Sequence, residues 1–220
     1  MSNQSNSAID ILKKEKPLFH PQSGTKEIAI IENHFFDSSK RTDRAERTSY
    51  AISQGVLQYI EANVTQEHTT LETGAGYSTV VFVNQAKKHI AVNPDITSNE
   101  LILEFLRNHS IYRENLEFIS EPSDRGLPLI NQDEQLDFAL IDGNHSFPMP
   151  IIDWHYIDYH LRIGGWLLVD NTEIRSVSIL CNYLMTEPAY KKIDDIGVTA
   201  IFQKVAKRWY GWKKQAMNMS

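Results

Sequence analysis

The sequence predicts an α/β fold: a doubly wound, mostly parallel seven-stranded sheet with an antiparallel closing strand, in a single domain with an N-terminal extension. Three observations carry this. Short apolar runs alternate with segments of helical period. The central runs, such as "LDFALI" and "GWLLV", are apolar almost throughout, as strands buried on both faces are. The last two runs meet at a turn around Gly197 too tight for a crossover, so they pair antiparallel.

Taken in order, residues 1–42 are polar and irregular, with Pro17 and Pro21, and only "EIAIIE" (Glu27 to Glu32) reads as a strand. The main domain spans 43–206. Its first helix is expected to begin near Asp43, where Asp43 and Glu46 form a capping box. Ala45, Ile52, Val56, Tyr59 and Ile60 follow at near-helical spacing. The strand "TTLETG" comes next, then the helix "STVVFVNQAKK" and the strand "HIAVN". "TSNELILEFLRNH" is a helix with Thr97 and Glu100 as its capping box and Leu101, Ile102, Phe105 and Leu106 on one face. "NLEFIS" and "LDFALIDG" are strands. "PIIDWHYIDYHLR" is a helix with Pro150 in its first turn. It should cover the sheet with one face and show its polar groups on the other. "GGWLLVDN" is a buried strand, and "EIRSVSILCNYLM" a helix with Ile174, Val177, Cys181 and Leu184 along one side.

A hydrophobic fraction of 41% supports a real core. The formal net charge of -6 disfavours general attraction to nucleic acid or anionic membranes. A single cysteine, Cys181, rules out an intrachain disulfide, and no apolar run is long enough to span a bilayer. A cytoplasmic protein is expected. The tail 207–220 is basic and aromatic, with Lys207, Arg208, Trp209, Tyr210, Trp212, Lys213 and Lys214. It could stack bases, touch a membrane surface or pack on a sister subunit. One such patch on an acidic chain leaves a small-molecule acceptor as the expected partner, with no nucleic acid and no membrane, and a homo-oligomer left open. "ENHFF", with His34, could fold over the site or simply pack.

The chemistry concentrates at strand ends. "ETGAGYS" (Glu72 to Ser78) lies where a strand ends and a helix starts, the edge at which open parallel sheets bind ligands. Gly74 and Gly76 permit a close backbone approach, and Glu72 can accept hydrogen bonds from a ligand or from nearby amides. A bare turn with no ligand is the plainer reading. A dinucleotide site would want a third glycine where Thr79 stands, and an acid near Asn93 or Asp95.

With the acid ahead of the glycines, the segment resembles motif I of the class I S-adenosylmethionine-dependent methyltransferases, and the strand–helix order over roughly residues 45–205 matches that Rossmann-like family. The resemblance implies S-adenosylmethionine as cofactor, carried by Glu72, Thr73, Gly74, Gly76, Tyr77 and Ser78. Asn93 or Asp95 would meet the ribose, Ser123 the adenine, and Asp142 would also line the cofactor site.

Asp142 and Asp170 each end an apolar strand, and adjacent parallel strands bring them to one edge. Buried charges need partners. Asp142, Asp170 and Asn171 make a hard-oxygen set suited to Mg²⁺ or another divalent cation; capping the next helix is the plainer role. The set resembles that of the cation-dependent O-methyltransferases, the catechol-type and antibiotic-sugar enzymes. That resemblance implies methylation of a hydroxyl on a sugar, diol or catechol-like acceptor. His145, three residues past Asp142, matches the family's general base, a task to which an imidazole is suited near neutral pH. A nicotinamide-dependent oxidoreductase and a non-catalytic ligand-binding protein of this fold stand as alternatives.

Overall fold

The computed structural model describes residues 7–15, 17, 19, 52–111 and 114–208. The Asp43 helix start, "EIAIIE", "ENHFF" and the tail beyond Arg208 lie outside them. The elements are α1 (Ala8–Glu15), α2 (Gln54–Asn63), β1 (Thr69–Thr73), α3 (Tyr77–Gln85), β2 (Lys88–Val92), α4 (Ile96–Asn108), β3 (Leu116–Ile119), α5 (Ser123–Gly126), β4 (Leu136–Ile141), α6 (Met149–His160), β5 (Leu161–Val169), α7 (Arg175–Thr186), β6 (Tyr190–Ile196) and β7 (Thr199–Lys204). A 3₁₀ turn, Leu127–Leu129, follows α5.

The seven strands form one sheet in the order β3-β2-β1-β4-β5-β7-β6. The first five are parallel; β7 pairs antiparallel with both β5 and β6. The order reverses between β1 and β4, and such a switch point opens a crevice at the carboxyl ends of the two strands. Strand parity sorts the side chains. Thr70 and Glu72 of β1 point to one face, Leu71 and Thr73 to the other. The first face is covered by α1 to α4 with Leu12, Leu57, Phe82 and Phe138 in its core. The second is covered by α6 and α7 with Leu71, Trp154, Leu180 and Phe202.

Three expectations are corrected. The N-terminal extension is not wholly irregular: α1 buries Ala8, Ile9 and Leu12, packing on α3 and α2. The fourth helix starts earlier than the Thr97 cap. Asp95 is its cap, with Oδ1 accepting the Ser98 N–H at 3.1 Å. In α6 the polar residues do not all face outward. Asp153 and Asp158 are buried, while Tyr159 is exposed. Asp158 can be buried because it is paired: Tyr190 donates to Oδ1 at 2.6 Å, Lys204 Nζ lies 3.0 Å from Oδ1, and Arg208 Nε lies 3.3 Å from Oδ2. Arg208 also lies over the Trp154 ring, 4.2 Å from its centroid.

Candidate active site

The glycine loop and the first acid meet at the switch point. β1 runs into Gly74, whose N–H donates to the Val92 carbonyl at 3.0 Å, and β4 runs into Asp142, whose N–H donates to Thr73 O at 3.2 Å. Gly74 has φ +84°, and a Cβ there would lie 2.5 Å from the Asp142 carbonyl oxygen. Only glycine permits both the left-handed backbone and this contact. Gly143 is close but less so: its Cβ would lie 3.1 Å from the Thr73 side chain. Gly76 differs: among the described residues a Cβ there would meet nothing within 4 Å. A ligand can approach the chain closely at that point.

Asp170 joins from the next strand, its N–H donating to Ile141 O at 3.0 Å. Asp142 and Asp170 therefore end neighbouring strands on the same edge as the loop. His145 follows in the loop after β4, with Nε2 3.8 Å from Asp142 Oδ1 and its side chain 22% exposed. The Ser176 hydroxyl, at the start of α7, donates to the His145 carbonyl and fixes that loop against the helix.

Other predicted residues sit at this edge with their side chains engaged elsewhere. Glu72 is buried, not turned to a ligand: its carboxylate accepts from Ser78 Oγ at 2.5 Å and from Thr79 Oγ1, and faces His89 Nε2 at 3.0 Å. Its even position in β1 aims it under α3. The Tyr77 hydroxyl donates to the Pro17 carbonyl at 2.8 Å, and its ring meets Phe19 edge-on. Burial raises its pKa well above that of an ordinary phenol. Asn93 is tied to Asn99, donating to Oδ1 at 2.7 Å, and Asp95 caps α4. Ser123 opens α5 and is nearly buried.

Two residues to which the sequence reading gave no role in the site lie beside the loop and the end of β1. Thr79 stands where a dinucleotide motif would carry its third glycine. Its hydroxyl accepts the Gly76 N–H at 2.9 Å while donating to Glu72. The G-x-x-T spacing, a helix-start signature, was the available signal. Asp153 is wholly buried, and among the described residues its carboxylate has no partner in hydrogen-bonding geometry. Burial lifts its pKa to about 6, against the downward pull of the neighbouring Ser123 and Thr73 hydroxyls.

The acids do not form a ready cation site. The Asp170 side chain is enclosed and accepts a hydrogen bond from Thr199, and Asn171 Nδ2 faces Glu173 Oε1 at 3.5 Å. Among the described residues no three His, Cys, Asp or Glu side chains cluster to hold a metal ion. As arranged, Asp142, Asp170 and Asn171 do not fit the expected role of a preformed Mg²⁺ cage. A methionine-type cofactor fits better, because no described residue lies within 4 Å of a Cβ placed on Gly76, at the switch point between β1 and β4.

Residues 71–172 match a family profile described as a methyltransferase domain. No curated protein sequence matches the chain. Among solved structures, the O-methyltransferase TomG from Streptomyces achromogenes, involved in tomaymycin synthesis and bound to SAM, is similar at 14% identity and a TM-score of 0.61. The likeness covers 94% of this chain and 100% of that one. Cofactor-bound Rv0187 from MTB is similar at 14% identity and a TM-score of 0.60, over 93% and 98% of the two chains. An rRNA methylase from Streptococcus thermophilus is similar at 14% identity and a TM-score of 0.55, over 69% and 95%. The methyltransferase-domain match over residues 71–172 and the sheet order together support an S-adenosylmethionine-dependent methyltransferase of the class I fold. The same fold is shared by an O-methyltransferase and by an rRNA methylase.

Proposed function

We propose that the protein transfers a methyl group from S-adenosylmethionine to a hydroxyl oxygen of a small molecule, with His145 as the base. The observation that carries this reading is the contact of Gly74 with Asp142 at the switch point, which joins the glycine loop and the His145 loop into one crevice. The sulfonium, when bound, supplies an activated methyl group. The chain's own task is then to orient the acceptor and to receive its proton. Holding reacting atoms in line is worth several orders of magnitude in rate. The cofactor would give up its methyl group, its S–C bond breaking as the O–C bond formed, and His145 is placed to take the hydroxyl proton on a ring nitrogen. Asp142 Oδ1 lies 3.8 Å from Nε2 of that ring.

The His145→Ala variant should lose at least about 100-fold in kcat and keep its affinity for S-adenosylhomocysteine in calorimetry. Weakened cofactor binding with normal turnover at saturation would overturn the role. A cation-assisted version of the same reaction keeps one observation in its favour, the neighbouring ends of Asp142 and Asp170. Since those side chains are not arranged as a ligand cage, the reaction proposed here proceeds in EDTA. Turnover lost on chelation and restored by Mg²⁺ would establish the cation-assisted form instead. The net charge of -6 argues for a small acceptor over RNA. A nicotinamide cofactor is disfavoured by Thr79, whose hydroxyl closes the loop where a third glycine would stand.

A further inference from the structure

A chain of buried polar groups runs beneath the glycine loop and has no part in the chemistry above. His89, in β2, is fully buried, and its ring stacks on Phe82 of α3 with centroids 4.7 Å apart. Its Nδ1 lies 2.8 Å from Thr70 Oγ1 and its Nε2 3.0 Å from Glu72 Oε1. Glu72 in turn takes the hydroxyls of Ser78 and Thr79, and Thr79 takes the N–H of Gly76. The path therefore runs from Thr70 through His89, Glu72 and Thr79 to the second glycine. It joins β1, β2 and the first turn of α3. A buried imidazole is costly unless its nitrogens are bonded, and here both ring nitrogens have partners.

We propose that His89 is a positioning residue: by fixing the Glu72 carboxylate it holds Thr79 and hence the Gly74–Gly76 loop in the shape that receives the methyl donor. This rests on the reading of that loop as the donor site. The geometry is directional. The Thr79 hydroxyl has one hydrogen, which goes to Glu72, so its lone pairs are left for Gly76 N–H. Without a donor from His89, Glu72 becomes a buried carboxylate short of one hydrogen bond, and the loop loses its anchor.

Hydrogen exchange of the ligand-free protein, followed on peptides covering residues 74–79, tests this without any cofactor. His89→Phe keeps the ring and its stack but removes both nitrogens. Loop exchange should speed up roughly tenfold, with α7 and β7 unchanged, and His89→Gln should restore much of the protection. Thr79→Val, nearly isosteric, cuts the path at its last link and should loosen the loop even if His89→Phe does not fold. Unchanged loop protection in Thr79→Val, or acceleration spread evenly over the sheet, overturns the proposal. In parallel, His89→Phe should bind S-adenosylhomocysteine about tenfold more weakly with kcat at saturating donor within about twofold. If the wild-type protein binds no S-adenosylhomocysteine, the donor-site reading fails, while the exchange result still decides the role of His89.

Discussion

Asp153 shows how one side chain can set a pH dependence. Its ordinary value is 3.8 and its folded value about 6, because burial penalises the charged form. The folded state thus holds the proton more tightly than the unfolded one. The penalty is absent below about pH 4, grows as pH rises towards 6, and reaches about 3 kcal/mol at neutral pH. Asp153→Asn should therefore match the wild type in melting temperature near pH 4 and exceed it increasingly up to pH 7. A pH-independent difference would show that the carboxyl finds a compensating partner. Glu72 teaches a related lesson. The sequence places an acid at the end of a strand before two glycines, but strand parity decides whether it looks into the crevice or under the neighbouring helix. That parity follows from which face α3 covers, which is tertiary information. Gly74, whose neighbours are backbone atoms, was legible; the partner of Tyr77 at Pro17 and that of Glu72 at His89 come from other segments and were not.

At the level of elements, β4 and β5 were readable because their apolar runs are long enough to declare themselves. Helix α1 was missed: its three buried residues, Ala8, Ile9 and Leu12, are set among Lys13, Lys14 and Glu15, too few to show a period. Helix α5 is only four residues and has none. In α6 the two buried acids contradict amphipathic reasoning, and Asp158 explains how. Its cations come from β7 and the segment after it, and its hydroxyl donor from β6, so the helix is fastened to the far end of the chain. Removing one partner of a buried pair leaves uncompensated charge. Asp158→Ala should cost about 3–5 kcal/mol in urea unfolding, whereas Tyr190→Phe should cost about 1 kcal/mol. Equal effects would mean that the phenol, not the cations, holds α6 in place.

Across the whole molecule, the sheet separates two apolar cores that share no side chains. Ile60 belongs to one and Ile157 to the other, and both are fully buried. Trimming either to valine should cost about 1 kcal/mol. The double variant should lose the sum to within about 0.5 kcal/mol, in a single unfolding transition. Separate transitions would mean that the sheet does not couple its two faces.

Chain order and spatial order part company at the right-hand side of that sheet. β6 is made before β7 yet lies outside it, with Lys191 to Asp195 exposed, while β7 slots between β5 and β6. As the polypeptide leaves the ribosome, β5 keeps a bare flank until Thr199–Lys204 have emerged, and β6 has nowhere to dock before then. The domain is closed by a wedge rather than by a final outer stave. A truncation that removes those six residues would orphan two strands at once.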